Sequence, residues 1–175
     1  FSAHAGIDPL AASVAELEAA VAGFGVVAPA VGATAAERWD RAFELLLAEV
    51  VQPRLGRGRP AMLVDWPASQ AAFARLDPQS PQVARRFELF VEGVELANGW
   101  EEDPRREVLA ERIASANATR AADGRGVLPV PERLLAAHGK TMPEGVGAAL
   151  GFDRLVMLAA GTDSIAAVRC FSGEA

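Results

Sequence analysis

Lysine and cysteine are scarce in this sequence. Lys140 is the only lysine among 175 residues, and the formal net charge is −6. This acidic balance argues against a sequence-independent grip on the phosphate backbone of RNA or DNA. Cys170 is the only cysteine, so no disulfide can form within the chain. His4 and His138 are too isolated in the sequence to build a metal site with it.

Long apolar runs are also missing. No stretch approaches the roughly 20 continuous apolar residues of a membrane span, and no amino-terminal segment combines a basic start with an apolar core as a signal peptide does. The sequence therefore predicts no membrane partner, and a reducing cytoplasm is the expected location. Hydrophobic residues still make up 51% of the chain, and the length predicts one domain with one core. The chain starts at Phe1 and not at methionine, which is compatible with a piece of a longer protein.

Capping residues mark two helix starts. Ser13 predicts a helix over 13–22 and Thr34 predicts one over 34–51, because each is followed three residues later by a glutamate that completes a capping box. A loop rich in Gly and Pro, over 23–32, separates them. Further helices are predicted at residues 68–76, 104–122, 131–138 and 153–161.

The stretch RRFELFVEGVELANGWEE, residues 85–102, predicts a β-hairpin whose two strands join at Glu92 and Gly93. Other strands are predicted at residues 61–66, 145–152 and 166–171. Strands that fall in hairpins and isolated segments, separated by helices of differing length, indicate an α+β fold with a largely antiparallel sheet.

The second strand of this hairpin carries acidic residues that a purely structural strand does not need. Glu95 and Glu102 flank Asn98 and Gly99, and their hard oxygen donors suit Mg²⁺ carrying nucleotide phosphates, or the ammonium of an amino-acid substrate. Their seven-residue spacing is odd, so a straight strand would point the carboxylates to opposite faces. They can share a site only if the strand bends, bulges or ends near Gly99. The alternative is that both are solvated carboxylates of an edge hairpin.

The stretch GVGAALGFDRLVML places Gly147 and Gly151 in an apolar strand and Arg154 just inside the following helix. Glycines there let a flat ring or a phosphate lie against the backbone, and arginine can stack on an aromatic face or bind phosphate oxygens. Close packing of the helix would explain the glycines equally well.

Other charged and aromatic residues are interpreted as structural. The basic segment over 52–60 is predicted to be a solvated connection rather than an anion site. The three tryptophans are expected to fill the core, with Trp100 as a partial exception because it lies beside the acidic pair. A solvated helix face is predicted for the arginines in and near the helix over 104–122, namely Arg105, Arg106, Arg112, Arg120 and Arg125.

Together and in this order, the two motif-bearing stretches resemble the second half of the catalytic domain of class II lysyl-tRNA synthetases, and the second stretch matches class II motif 3. The resemblance is closer to a family of short paralogues, the elongation factor P lysine ligases. The segments IDPLAASVAEL, WPASQAAFARL, ELANG and ALGFDRLVMLAAGTDSI resemble that family in order and spacing. Ala149 also favours these ligases, because the synthetases usually carry glycine at the matching place.

The resemblance covers nearly the whole chain and implies a fold and a domain. The expected fold is a class II synthetase-like antiparallel sheet flanked by helices, with residues 1–175 forming the C-terminal part of the catalytic domain. No stretch resembles an anticodon-binding domain, and the acidic charge agrees with this, so tRNA is not expected as a partner.

The resemblance also implies an activity: ATP and Mg²⁺ activate lysine or (R)-β-lysine as an aminoacyl adenylate, which is transferred to a lysine of elongation factor P. On the nucleotide side, Glu95 and Leu96 look like the ATP-contacting pair, with the carboxylate of Glu95 acting through Mg²⁺. Gly151 matches an ATP-contacting glycine. Arg154 matches the motif 3 arginine that covers the adenine and touches the γ-phosphate, so Glu95 and Arg154 are the candidate catalytic residues.

On the amino-acid side, Glu102 resembles the acidic residue that receives a substrate amino group, and it is a candidate metal ligand together with Glu95. The residues expected to shape the pocket and its floor are Asn98, Gly99, Gly147 and Ala149.

Two departures from the family bear on this expectation. The family usually continues after its second glutamate with Leu, then Thr or Asn, then Asp, where this chain has Asp103, Pro104 and Arg105. Class II motifs 1 and 2 precede Phe1 in the family. Motif 1 builds the dimer interface, which leaves a homodimer open for a full-length protein. Motif 2 supplies an arginine that holds the α-phosphate, so the 175-residue chain alone is expected to be inactive.

Two alternatives to the ligase remain open at this point. One is a lysine-activating, synthetase-like enzyme with another acceptor, such as a free amine or a carrier. The other is a truncated paralogue that keeps the fold and binds or regulates without catalysis, which the missing motif 2 favours.

Overall fold

A computed structural model describes residues 1–27, 34–139 and 142–171, so Lys140 and part of the predicted 23–32 loop lie outside the described residues. Within these ranges the α-helices are α1 (Ser2–Ala5), α2 (Val14–Gly23), α3 (Ala35–Leu45), α4 (Arg106–Ala122), α5 (Glu132–Ala137) and α6 (Phe152–Ala159). The strands are β1 (Ala61–Leu63), β2 (Trp66–Pro67), β3 (Val83–Ala84), β4 (Arg86–Val91), β5 (Val94–Glu101) and β6 (Val146–Leu150).

The main sheet has four antiparallel strands in the order β1-β4-β5-β6, and β2 pairs separately with β3. This arrangement confirms the α+β prediction, and it places the predicted hairpin directly beside the glycine-rich strand. Glu92 and Gly93 both have positive φ, at 50° and 79°, as the two central residues of the turn that matches the twist of a hairpin. The Glu92 carboxylate accepts a hydrogen bond from the backbone N–H of Gly58 at 2.8 Å.

A β-bulge interrupts the hairpin. Leu89 pairs with Ala97, whereas the next residue, Phe90, pairs with Glu95, so Leu96 is an extra residue in β5. Paired residues of an antiparallel ladder point to the same face. The bulge therefore brings Glu95 onto the face that also carries Glu88 and Asn98, hereafter the Glu88 face.

The helix starts follow the capping signals. In α2 the Ser13 hydroxyl accepts from the backbone of Glu16 while the Glu16 carboxylate accepts from Ser13, and Thr34 and Glu37 repeat this at α3. After Leu45 the helix continues in a wider, π-helical turn over Leu46–Val51 and closes in a short 3₁₀ turn that contains Pro53. The predicted helix over 34–51 is therefore confirmed.

Three apolar clusters form the core. The first joins α2 to α3 and the second joins α3 to the β2–β3 region, while the third covers the Glu88 face at Phe90. Phe90 and Glu88 are buried, whereas Ala149 on β6 is exposed. The Glu88 face is thus closed over β4 and open over β6. On the opposite face, Met62, Val146 and Leu150 are exposed.

Two predicted elements are wrong. The segment over 68–76 is not a helix: only Ala68–Gln70 forms a short 3₁₀ turn, because Ala72 takes a left-handed conformation (φ 49°) and Ala74 then forms a β-bridge with Glu102. The segment over 166–171 is not a strand, since Ile165–Val168 forms a 3₁₀ turn. No helix among the described residues is long and apolar enough to cross a membrane.

Candidate functional site

The register of β4, β5 and β6 collects most of the predicted site residues on the Glu88 face. Asn98 pairs with Glu88 on one side and with Ala149 on the other, while Trp100 pairs with Gly147. Glu95 joins this face because of the bulge. The two motif-bearing stretches, which are about 50 residues apart in the sequence, therefore meet on adjacent strands.

At one end of this face, Glu95 and Arg154 are in contact. Nη1 of Arg154 lies 3.4 Å from Oε2 of Glu95 and donates to the Glu95 backbone oxygen at 2.8 Å. Arg154 belongs to the first turn of α6, whose N-cap is Gly151. The backbone N–H of Gly151 donates to the Leu96 oxygen at 2.8 Å, so the bulge and the start of α6 are joined directly.

Gly151 lies close to Arg154 as well. A methyl group at position 151 would lie 3.3 Å from Cδ of Arg154 and 3.5 Å from the Leu96 oxygen. The side chains of Glu95 and Arg154 remain 31% and 45% exposed. This end of the face therefore offers one carboxylate and one guanidinium that a ligand from solvent can reach.

The middle of the face holds a buried polar cluster. Glu88, only 6% exposed, accepts from Nη2 of Arg86 at 2.5 Å and from Nδ2 of Asn98 at 3.0 Å. Burial raises the pKa of Glu88 to about 7 against the attraction of Arg86, and the negative charge of Glu95 adds to the rise. The buried Glu88 carboxylate is thus held by Arg86 and Asn98 and lies within the electrostatic influence of Glu95.

The other end of the face is formed by Glu102. Its backbone N–H donates to the Gly145 oxygen at 2.9 Å, and a methyl group at Gly147 would lie 3.6 Å from its Oε1. Trp100, two residues earlier, stacks on Phe73 with the ring centroids 5.8 Å apart. The indole Nε1 of Trp100 is buried without a hydrogen-bond partner among the described residues. The absence of a side chain at Gly147 leaves room beside the Glu102 carboxylate.

The assignment of Glu95 and Glu102 as metal ligands stays a prediction. The seven-residue step between them along β5 spans roughly 20 Å, so the two carboxylates belong to opposite ends of the face. Among the described residues, no three His, Cys, Asp or Glu side chains form a metal-binding group. The carboxylate that lies near Glu95 on this face is Glu88, because β4 and β5 are paired.

Gly99 also has a different environment from the one predicted. Gly99 pairs with Phe87 and Ala148, so a side chain at this position would point to the face opposite to that of Asn98. A methyl group there would collide with the Phe87 ring and lie 2.7 Å from the Gly147 oxygen. Glycine at this position therefore permits close packing beneath Phe87 on the opposite face. The strand continues straight through it, and the distortion that reorients Glu95 lies at Leu96 instead.

The departure at Asp103 has a structural explanation. Asp103 is 3% exposed and accepts two hydrogen bonds from the guanidinium of Arg105, at 2.7 and 2.6 Å, and a third from its backbone. Helix α4 consequently begins at Arg106, two residues later than predicted. Burial raises the pKa of Asp103, but these hydrogen bonds and the nearby positive charges outweigh burial and hold the pKa below its usual value.

Arg112 is not part of a solvated face. It donates to the backbone oxygens of Ala72 and Ala74 at 2.8 and 2.9 Å and lies 4.0 Å from Asp103. Burial lowers the pKa of Arg112. This arginine fixes the 72–74 segment, whose Phe73 contacts Trp100, against α4.

A separate cleft of about 830 Å³ lies between α3 and α4 and contains none of the predicted site residues. Its charged groups largely satisfy one another: Arg41 pairs with Asp123 at 3.3 Å, and Gln70 donates to Asp40 at 3.1 Å. The Glu88 face is the better candidate site because it contains most of the predicted site residues and because the side chains of Glu95 and Arg154 remain partly exposed.

Sequence reasoning did not identify Glu88 and Arg86 as parts of the site. The available signal was the alternation in RRFELFV, which places Arg86, Glu88 and Phe90 on one face of β4. A phenylalanine on that face predicts that the face is covered, and a glutamate beside it must then be buried and hydrogen-bonded.

Comparison with known proteins agrees with this architecture. Residues 39–175 match the family described as class II tRNA synthetases (D, K and N). Curated relatives named elongation factor P–(R)-β-lysine ligase include that of Sodalis glossinidius, 40% identical over 174 residues, or 99% of this chain and 53% of the relative. The Salmonella gallinarum relative is 38% identical over 172 residues (98% and 52%), and that of Vibrio cholerae is 44% identical over 133 residues (75% and 41%).

The chain spans about half the length of the curated relatives that it matches over nearly all its residues. The family match covers the hairpin, β6 and α6, which are the elements that build the Glu88 face. On this evidence the chain belongs to the class II tRNA synthetase family of the D, K and N type.

Proposed function

We propose that the full-length protein uses ATP to activate a lysine-type amino acid, (R)-β-lysine, as an aminoacyl adenylate and transfers it to a lysine of elongation factor P. The observation that carries this proposal is the similarity, over 98–99% of this chain, to ligases named for that acceptor and that amino acid. Because the chain spans about half of those relatives, the activity is proposed for the complete protein. A role in modifying a translation factor makes the cytoplasm the proposed location.

The nucleotide end of the site would consist of Glu95, Leu96, Gly151 and Arg154. The exposed guanidinium of Arg154, held by the Glu95 backbone, is suited to phosphate oxygens and to the face of an adenine ring. The Leu96 backbone and Gly151 are hydrogen-bonded to each other and bring main chain to the same place without a bulky side chain.

The donor set at this end fits Mg²⁺, with Glu95 and the neighbouring Glu88 as the residues that would hold it. Magnesium is commonly bound by one or two carboxylates together with substrate phosphates. When bound, the ion would offset the negative charge of the ATP phosphates. In the unliganded protein burial raises the pKa of Glu88, and the negative charge of Glu95 adds to the rise.

The amino-acid end would consist of Asn98, Gly147, Ala149 and Glu102. The carboxylate of Glu102 would receive an ammonium group of the substrate, and the open space above Gly147, which adjoins this carboxylate, supports the assignment. Asn98 and Ala149 are paired on β5 and β6 and would form the floor between the two ends. Gly99 is assigned to the packing of the opposite face and not to contact with the substrate.

The proposed reaction has two steps. First, a carboxylate oxygen of the amino acid forms a bond to the α-phosphorus of ATP while the bond to pyrophosphate breaks. Then the amine nitrogen of the acceptor lysine forms an amide bond to the acyl carbon, AMP leaves with the bonding electrons, and the amine loses a proton. Fixed charges such as the Arg154 guanidinium would lower the activation barrier of the first step, because they stabilise the negative charge that develops on phosphate oxygens.

The test uses the purified full-length protein. ATP–pyrophosphate exchange is measured with (R)-β-lysine, with lysine and, as a control, with alanine; transfer is then measured as a mass increase of elongation factor P. The proposal expects exchange with (R)-β-lysine and a modified factor. Exchange without transfer would favour a synthetase-like enzyme with another acceptor, and no exchange with any lysine-type amino acid would favour a non-catalytic paralogue.

A further inference from the structure

Arg86 lies at the centre of the Glu88 face, and every nitrogen of its guanidinium has an acceptor. Nη2 donates to Glu88 at 2.5 Å, Nε to Oδ1 of Asn98 at 3.2 Å, and Nη1 to the Gln70 backbone oxygen at 2.8 Å. The guanidinium carbon also lies 4.0 Å from the ring centroid of Trp66. The stacked ring and the backbone oxygen hold the guanidinium plane, so its remaining donors have fixed directions.

The two side chains that Arg86 contacts are also joined to each other. Nδ2 of Asn98 donates to the same Glu88 oxygen, Oε1, at 3.0 Å. Arg86, Glu88 and Asn98 therefore form a closed triangle of hydrogen bonds. The amide of Asn98 can adopt only one orientation in it, since its oxygen must accept from Arg86 while its nitrogen donates to Glu88.

This triangle connects the two ends of the proposed site. Glu88 interacts electrostatically with Glu95 and Arg154 at the nucleotide end, whereas Asn98 pairs with Ala149 on the amino-acid side. A displacement of the guanidinium would release the Glu88 carboxylate and the Asn98 amide together.

We propose that Arg86 is a positioning residue that orients Glu88 and Asn98 with one guanidinium and so couples the nucleotide and amino-acid ends of the site. This inference rests on the proposed function for its kinetic consequences, but the orientation of Asn98 can be tested without any activity. Lysine cannot replace Arg86 in this role, because an ammonium lacks the planar fork that reaches both acceptors.

The neighbouring Arg85 provides a matched control. It carries the same side chain but pairs with Asp77 at 3.2 Å and with Glu101 at 2.6 Å, away from the Glu88 face. Arg85→Gln therefore removes a guanidinium and two ion pairs from the same strand region without touching Glu88 or Asn98.

The experiment compares Arg86→Gln, Arg86→Lys and Arg85→Gln in the full-length protein. The first readout is the NMR signal of the Asn98 side-chain NH₂ group. In the parent protein and in Arg85→Gln, one of its protons should exchange slowly with solvent, and in both Arg86 variants this protection should fall at least tenfold. The second readout is ATP–pyrophosphate exchange, for which kcat/KM should fall at least tenfold in both Arg86 variants and remain unchanged in Arg85→Gln.

Unchanged solvent protection of the Asn98 amide protons in a folded Arg86 variant would overturn the inference. Equal rates of ATP–pyrophosphate exchange for Arg86→Gln and Arg85→Gln would overturn it as well. If Arg86→Gln does not fold, Arg86→Lys, which keeps the positive charge beside Glu88, takes its place in both measurements. A parent protein without exchange activity would contradict the proposed function, and the amide signal would then decide the positioning role by itself.

Discussion

Arg154 donates to the backbone oxygen of Glu95 at 2.8 Å while its guanidinium lies 3.4 Å from the carboxylate of the same residue. The backbone contact anchors the arginine, whereas an ion pair as exposed as this one contributes only about 0–1 kcal/mol to stability. The carboxylate can therefore exchange its partner for a ligand at little cost. Helix α6 and strand β5 thus present opposite charges that are positioned before any ligand arrives.

The first prediction concerns this pair in the full-length protein. Glu95→Gln and Arg154→Ala should each reduce ATP–pyrophosphate exchange by about a hundredfold or more, because loss of one fixed contact to developing phosphate charge costs on the order of 3 kcal/mol. Exchange driven by a lysine-type amino acid is the measurement, with circular dichroism as a check of the fold.

Glu101→Gln is the matched control for Glu95→Gln. Glu101 is on the same strand, but its carboxylate pairs with Arg75 and Arg85 and not with α6. The ATP–pyrophosphate exchange rate of Glu101→Gln should stay within about threefold of the parent, a difference of about 0.7 kcal/mol. Unchanged exchange in folded Glu95→Gln would mean that the acidic strand serves stability and not chemistry.

The second prediction separates the two ends of the site. Since Glu102 lies roughly 20 Å along the strand from Glu95, Glu102→Gln should raise the KM for the amino acid at least tenfold and leave the KM for ATP nearly unchanged. The reason is that a neutral amide cannot form the charge-assisted hydrogen bond that a carboxylate makes with an ammonium group. Steady-state exchange kinetics with each substrate varied in turn give both constants. An equal rise in both would contradict the assignment.

The third prediction follows from burial of Glu88, which raises its pKa to about 7 from an ordinary value of 4.5. A carboxyl group whose pKa is raised in the folded state contributes stability below its unfolded pKa, and this contribution is lost as the pH rises through the folded pKa. Between about pH 4.5 and pH 7 the loss is on the order of 3 kcal/mol.

Glu88→Gln should remove that pH dependence. The free energy of unfolding of Glu88→Gln minus that of the parent should therefore increase as the pH rises from 5 to 7. Urea denaturation of both proteins at several pH values, without Mg²⁺ or nucleotide, measures this difference. Carboxylates with lowered pKa values, such as Glu101 and Asp103, have the opposite pH dependence but are common to both proteins and cancel. A constant difference across this range would show that Glu88 is not the group that titrates.

Local signals predicted the elements that depend on local chemistry. The two capping boxes are formed by residues three positions apart, and the Glu92–Gly93 turn depends on its own backbone conformation, so both could be predicted from short stretches. The assignment of Glu95 and Arg154 to one nucleotide site came instead from the resemblance to a family, because no short stretch contains both residues.

The errors arose where distant residues decide the structure. Residues 68–76 have helical composition, but Ala74 forms a β-bridge with Glu102, and Arg112, some 40 residues later in the chain, binds the Ala72 and Ala74 oxygens. A bend, a bulge or a strand end was expected near Gly99, because glycine suits such distortions. The bulge lies at Leu96, where the main-chain oxygen accepts from Gly151, and the sequence around Leu96 contains no signal for that distant partner.

The last prediction compares two glycines that face opposite sides of the sheet. A methyl group at Gly99 would collide with the Phe87 ring and lie 2.7 Å from the Gly147 oxygen, a backbone atom of the adjacent strand that cannot move away. A methyl group at Gly147 would lie 3.6 Å from Oε1 of Glu102, which is an ordinary contact. Gly99→Ala should therefore lower the free energy of unfolding by about 1–3 kcal/mol, the usual cost of overpacking, while Gly147→Ala should stay within about 0.5 kcal/mol of the parent. Urea denaturation of both variants is the measurement, and equal stabilities would show that the sheet does not pack as tightly at Gly99 as these distances require.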